Sequence, residues 1–191
     1  MLDAARTVLL RDPRATMAAV AREAGMGVGG LYRRYRNKQD LLRAVCDDNL
    51  RRYIALGEAA LADSEDPWSA LATFMGKVVD EGIHQLTPCL AGSVVMDERL
   101  LELAAQSGEV TDRVLRAARG SGMLRADVSR ADLTLLIEQL GSLDLGDAER
   151  TAQLRHRYLV LMLDGLRATS ATGRLPGPPP ADSELSVRWE T

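Results

Sequence analysis

Apolar residues recur at three- and four-residue spacing along nearly the whole chain, and no stretch alternates with a period of two. Such spacing gives each helix one apolar stripe to set against a core, so the chain reads as all-α. Leu2 to Arg11 predicts a first helix with Ala5, Val8 and Leu9 on one face, stopped by Asp12-Pro13. Thr16 caps a second helix whose inner face holds Val20, Ala21 and Ala24. Gly25-Met26-Gly27 breaks the pattern before a short third helix, about Val28 to Tyr35. Asn37 caps a long fourth helix reaching Leu61 or Ala62, with Asp40 in its first turn where it complements the dipole. Asp66-Pro67 starts a fifth helix that the spacing carries to Gln85, and Thr87-Pro88 predicts the next break. Helical spacing resumes from Glu98 to Arg119, and Gly120-Ser121-Gly122 is a turn. Ser129 caps a helix to Leu140, and Asp147 caps a last one to about Ala168. The tail from 169 contains Leu175-Pro176-Gly177-Pro178-Pro179-Pro180 and reads as extended.

At 191 residues the chain suits one compact unit or two small helical domains sharing an interface. Hydrophobic residues (46%) suffice for a core, and few aromatics (4%) beside abundant Leu, Ala, Arg and Glu favour helices over sheets. The net charge of -3 points to no partner, but its distribution does. Residues 1–52 carry 11 Lys/Arg against 6 Asp/Glu, and the rest carry 13 against 21. A basic head on an acidic body suits DNA contact confined to one end. Cys46 and Cys89 fit no zinc ribbon or redox pair, which implies a reduced, cytoplasmic setting. Asp3 and Arg6 interrupt the N-terminus before any apolar run, so no secretory signal is expected. Tyr158 to Leu163 is far too short to span a bilayer, so no membrane partner is expected either. His84 and Cys89 are too few for a metal site, and no cofactor is implied. Without a nucleophile–His–carboxylate set, an HExxH or a phosphate-binding glycine loop, the sequence is not that of an enzyme.

The most informative segment is Thr16 to Leu42. A helix-turn-helix needs a small residue where its helices press closest, a residue tolerant of positive φ in the turn, and one apolar side chain returned to the core by the second helix. Ala21, Gly25 and Leu31 meet these demands in that order. The residues left outward are Gly27, Gly29, Gly30, Tyr32, Arg33, Arg34, Arg36 and Lys38, a basic group with one aromatic. Such a face suits the major groove, where exposed side chains meet base edges and phosphates.

Gly25–Leu42 resembles the DNA-binding domain of TetR-family regulators, whose typical pattern is A-G-V-S-x-G-T-L-Y-x-H-F-x-S/N-K-E/D-x-L-L. The matching residues are Ala24, Gly25, Gly29, Leu31, Tyr32, Tyr35, Asn37, Lys38, Leu41 and Leu42. Leu2-Asp3-Ala4-Ala5 is similar to the family's opening helix. Gly27 stands for the usual Ser, Gly30 for Thr or Ala, and Arg34 for His. The first two remove hydroxyl contacts, and Arg34 restores a charged one. The resemblance implies phosphate contacts from Tyr32, Lys38 and Thr16, and base-edge contacts from Val28, Gly29 and Arg33. Gly30, Arg34 and Tyr35 are counted in the same interface.

It also implies the organisation: a helix-turn-helix domain over residues 1–45, a helical ligand-binding and dimerisation bundle over 46–168, and the tail over 169–191. The expected function is a ligand-responsive repressor, a homodimer on a pseudo-palindromic double-stranded DNA operator, with an unidentified small-molecule effector. The alternative is a ligand-binding bundle with a degenerate DNA-binding head. Trp68, Leu71, Phe74, Met75, Val78, Leu86, Cys89, Met96, Leu103 and Met123 are the candidates for the effector cavity, because methionines and aromatics adapt to apolar ligands. Leu133, Leu136, Ile137 and Leu140, with Leu154, Tyr158, Leu161, Met162 and Gly165, form two stripes that suit a four-helix dimer interface. The end of the chain resembles a group of actinobacterial TetR-like regulators. The likeness rests on His156-Arg157-Tyr158-Leu159, Asp164-Gly165-Leu166-Arg167, Leu175-Pro176-Gly177-Pro178 and a final Trp189.

Overall fold

The computed structural model describes residues 1–187, so Trp189 lies outside the described residues. The architecture is all-α, with an N-terminal helix-turn-helix joined to a helical bundle. The helices are α1 (Leu2–Arg11), α2 (Met17–Glu23), α3 (Val28–Arg34), α4 (Lys38–Asp63), α5 (Pro67–Asp80) and α6 (Ile83–Leu90). They continue with α7 (Glu98–Gly120), α8 (Arg130–Gly141), α9 (Ala148–Leu166), a 3₁₀ turn at Ala168–Ser170 and α10 (Asp182–Ser186).

The caps that locate the starts form as side-chain chemistry dictates. Thr16 Oγ1 accepts from Ala19 N–H, Asn37 Oδ1 from Asp40 N–H, and Asp147 Oδ1 from Arg150 N–H. Ser129 and Asp132 form a reciprocal capping box at α8.

Three expectations from the sequence are corrected. The fifth helix does not run to Gln85, and Thr87-Pro88 is not a break. Gly82 adopts φ +62 and ends α5, with Glu81 N–H bonded to the Lys77 carbonyl and Gly82 N–H to that of Val79. Pro88 lies inside α6 near its end, where its ring removes only the bond that an N–H there would send to the His84 carbonyl. Nor is the tail extended throughout, since the 3₁₀ turn and α10 interrupt it.

The apolar side chains gather into two cores. One unites α5, the second half of α7, α8 and α9 around Phe74, Leu71, Met75, Val114 and Leu133. The other unites α1–α3 and the first half of α4 with Leu86, Leu90, Val94 and Leu100. Hence α6 and the loop after it pack into the N-terminal head. The long α4 serves both cores, with Leu41, Leu42 and Val45 in one and Ala60 in the other. It crosses α7 closely at Gly57, where a Cβ would stand 2.7 Å from Val110 Cγ2.

Candidate nucleic-acid interface

The geometry of α2 and α3 follows from a few residues. Ala21 and Leu31 are fully buried and Val20 nearly so, and fully burying a side chain such as that of Leu31 or Val20 is worth about 1.5–3 kcal/mol. Gly25 takes φ +64, a region a side chain disfavours, and Met26 N–H reaches back to the Ala21 carbonyl at 2.9 Å. The turn thereby aims α3 outward, held to the head through Leu31.

The outward face of α3 presents Val28 at 40% and Tyr32 at 48% exposure. Beside them Gly29, Arg33, Arg34 and Arg36 are exposed. Among the described residues none of these three arginines has a carboxylate partner, so their charge is available to an anion. Gly27 is the N-cap of α3 and Gly29 lies in its first turn. Neither has a positive φ, and a Cβ on either would meet nothing within 4 Å. Gly30 is half-buried, and its added Cβ would stand 3.4 Å from Met26 Cε. The fold therefore does not require glycine at 27 or 29.

Two residues sit differently from the sequence expectation. Tyr35, counted with the interface, is the C-cap of α3 and is only 9% exposed, its side chain packed in the head core. The helix ends one residue earlier than expected, and the chain's turn toward α4 rotates the ring inward. Lys38 is half-buried and its Nζ donates to the Pro13 carbonyl at 3.1 Å, tying the turn after α1 to the start of α4. Thr16 is exposed at the N-terminus of α2.

Behind this face, the loop between α6 and α7 grips the first turns of α4. The Gln39 side-chain amide donates to the Ser93 carbonyl at 2.9 Å and accepts from Val95 N–H at 3.1 Å. Arg43 Nε donates to the Val95 carbonyl at 3.0 Å and faces Asp97 at 3.7 Å. Val94 between them is fully buried in the head core. The junction is completed by Arg6 donating to the Glu81 carbonyl, Cys89 Sγ–H to that of Leu9, and Asn49 Nδ2 to that of Ile83. Sequence reasoning missed Gln39 and Arg43, because their partners are backbone atoms more than 50 residues away, and no local pattern marks them. Burial pushes the Cys46 thiol up to about 12, so it stays protonated at neutral pH.

The effector-cavity candidates do not converge on one space. Trp68, Leu71, Phe74, Met75 and Val78 are buried in the body core, with Met123 packed against it. Leu86, Cys89 and Met96 belong instead to the head core, and Leu103 is buried on α7. The divergence follows from Gly82, which turns α6 away from α5 and toward the head. The body also holds a bonded pair, Tyr53 Oη and Thr111 Oγ1 at 2.8 Å. Two buried acceptors at the junction, Asn49 Oδ1 and His84 Nε2, lack a donor among the described residues.

The two stripes assigned to dimerisation divide similarly. Leu133, Ile137 and Leu140 are buried in the subunit's own core, and Leu136 and Met162 pack against it. Tyr158 (43%) and Leu161 (57%) are exposed on α9, with Gly165 exposed and Leu154 half-buried. A helix buries only one face, and α8 spends most of its apolar face on the subunit. Among the described residues no cluster of three or more His, Cys, Asp or Glu could hold a metal ion, and no helix is long and apolar enough to cross a membrane.

Comparison with known proteins bears on this arrangement. Residues 1–45 match the family model for bacterial regulatory proteins of the tetR family, and residues 66–168 match that for the C-terminal domain of SbtR-like transcriptional regulators. A TetR transcriptional regulator from Streptomyces coelicolor is 25% identical, with 87% of this chain and 95% of that chain covered and a TM-score of 0.62. A TetR transcription regulatory protein from Mycobacterium vanbaalenii is 28% identical, covering 87% and 92%, with a TM-score of 0.58. The TetR-like regulator LfrR of Mycobacterium smegmatis, in complex with proflavine, shares the fold at 24% identity, covering 90% and 94%, with a TM-score of 0.67. No curated protein matches the chain.

Proposed function

Because the chain belongs to the TetR family of transcriptional regulators, a family of DNA-binding proteins and not of enzymes, we propose that it is a ligand-responsive repressor that binds a pseudo-palindromic operator as a homodimer. The observation that carries this reading is the outward face of α3: Tyr32, Arg33 and Arg34 exposed and unpaired with carboxylates, beside glycines whose absence of side chain the fold does not need. Arg33 and Val28 reach base edges, and Gly29 lets the backbone approach the groove floor. Tyr32, Arg34 and Thr16 meet phosphates, as does Lys38, whose ammonium keeps donors beyond the one given to Pro13. Two such faces related by a two-fold axis read two half-sites.

The effector acts through the junction. A small molecule bound in the body core among Trp68, Leu71, Phe74, Met75 and Val78 of α5 shifts α6, which packs on α5, and with it the following loop, which holds α4 by Gln39 and Arg43. Gln39 is the neighbour of Lys38, so the displacement reaches the DNA face within one residue. Only an effector with different affinity for the two arrangements shifts the equilibrium. The proflavine complex of LfrR supports a small-molecule effector, and Asn49 Oδ1 and His84 Nε2 are available to a hydrogen-bond donor on it. We read the LPGP-containing tail as the actinobacterial type and the setting as cytoplasmic.

The test is selection of bound fragments from random-sequence DNA by the wild type and by Arg33→Ala. The wild type is expected to enrich two-fold-related half-sites, and Arg33→Ala to relax one position in each. Absence of any enrichment would reject the DNA-binding reading.

A further inference from the structure

Half of the arginines in residues 1–52 are engaged within the protein. Arg11, Arg43, Arg51 and Arg52 pair with carboxylates, and Arg6 donates to the Glu81 carbonyl. The other half, Arg14, Arg22, Arg33, Arg34 and Arg36, are exposed and have no carboxylate partner among the described residues. The unneutralised charge is thus confined to the helix-turn-helix and its borders. Arg33, Arg34 and Arg36 belong to the α3 face. Arg14 belongs to neither α2 nor α3, but to the turn between α1 and α2.

That turn is fixed from three sides. Ala15 N–H donates to the Asp12 carbonyl at 3.0 Å, and Arg14 N–H to Asp12 Oδ1 at 2.9 Å. Ala15 and Met17 are buried and anchor the chain where it enters α2. From the start of α4, Lys38 Nζ donates to the Pro13 carbonyl at 3.1 Å. The Arg14 amide nitrogen is bonded to that same carbonyl carbon, so Arg14 and the Lys38 ammonium are neighbours. Thr16 stands two residues on, exposed. Among the described residues the Arg14 side chain has no hydrogen-bond or ion-pair partner, and Asp12, the carboxylate of the turn, bonds the backbone instead. A guanidinium with all its N–H groups free, set beside a second cation on a rigid backbone, matches a phosphate diester in charge and geometry. Holding the backbone in place beforehand lowers the entropy lost on binding. Three glycines at 27, 29 and 30 leave α3 few side chains with which to hold DNA, so contacts from outside it carry more of the affinity.

We propose that Arg14 is a phosphate-binding residue: on the turn that Asp12 and Lys38 hold rigid, it forms with Lys38 a two-cation clamp on the DNA backbone beside the half-site that α3 reads. The clamp sets the position of the head on the duplex and carries no sequence information. The inference rests on the DNA-binding reading and adds to it a contact outside both helices of the motif.

The test is fluorescence anisotropy over a salt series on the full chain, wild type and three variants. The probes are a duplex that the wild type selects from random-sequence DNA and a duplex of unrelated sequence. Arg14→Ala removes the contact and Arg14→Lys keeps its charge. Arg116→Ala removes an exposed arginine from α7 in the body and controls for the overall field of the protein. Arg14→Ala is expected to weaken both duplexes alike, roughly three- to tenfold, and to flatten the plot of log affinity against log salt by about 0.9 for each subunit bound. Arg14→Lys and Arg116→Ala should keep the wild-type slope, and thermal unfolding of the free protein should be the same in all four. An Arg14→Ala slope equal to that of the wild type would overturn the clamp and leave the DNA-binding reading standing. Equal flattening by Arg116→Ala, or by Arg14→Lys, would overturn it too, since the effect would then be a general field or a structural one. A changed sequence preference in Arg14→Ala would replace the phosphate contact with a base contact. A wild type that binds neither duplex would remove the DNA-binding reading and the inference with it.

Discussion

Gly29→Ala separates what α3 needs to fold from what it needs to touch. The residue sits in the first turn of α3 with ordinary helical backbone, and an added Cβ meets no atom of the protein within 4 Å. Nothing is therefore lost in packing, while alanine restricts the unfolded chain and favours the helix. The gain is about 0.5–1 kcal/mol. For a chain of this size that corresponds to a rise in Tm of roughly 1–4 °C. On DNA the sign reverses. If the α3 backbone lies against the groove floor, the methyl group must push the helix off its contacts, and affinity falls by about tenfold or more, equivalent to about 1.4 kcal/mol. The assay pairs urea unfolding with fluorescence anisotropy on a selected operator duplex at one fixed salt concentration, because affinities at different salt are not comparable. A variant that is more stable and binds as tightly as the wild type would refute the close approach of this backbone. A less stable variant would refute the open surroundings of the Cβ.

Lys38→Ala and Tyr32→Phe are expected to weaken binding to all DNA sequences alike, with the salt slope of Lys38→Ala reduced by about one; a changed sequence preference at unchanged affinity would refute the phosphate assignments. Gln39→Ala should leave DNA affinity within a few-fold but cut the link to the body. Hydrogen exchange of residues 91–97, slowed by operator duplex in the wild type, should no longer respond in the variant, since coupling between sites is reciprocal. His84 supplies a pH signature: burial, only partly offset by its bond to the Val78 carbonyl and reinforced by Arg155 and Arg6, lowers it from 6.5 to about 4. Below 6.5 the unfolded chain takes up a proton that the folded one refuses, so stability present above pH 6.5 falls by roughly 3 kcal/mol toward pH 4. Urea unfolding across that range should show a shallower decline in His84→Gln, and identical profiles would refute the assignment.

The helix-turn-helix was legible because its demands are local. Ala21, Gly25 and Leu31 act within a span of eleven residues, and their types alone state the turn and the buried contact. Caps such as Asn37, Ser129 and Asp147 are legible for the same reason, since each bonds a backbone N–H three residues on. Reading failed where two local signals competed, as at Gly82 and Pro88. Glycine at a helix end and proline inside a helix both mark breaks, and packing chose the glycine.

Periodicity names a helix's apolar face without naming what covers it. By itself, then, the sequence determined an all-α chain with a basic, outward-facing recognition helix on a defined turn. Only the tertiary structure decided that Leu86, Cys89 and Met96 serve the head, that Leu133 and Ile137 serve the subunit's own core, and that Tyr158 and Leu161 stay uncovered. It alone placed Gln39 against Ser93 and Val95, and Asp127 against Leu175. The physical reason is distance along the chain. Contacts within a few residues are written in residue type and spacing, whereas these partners lie 48 to 56 residues apart and are mostly backbone atoms, which carry no sequence label.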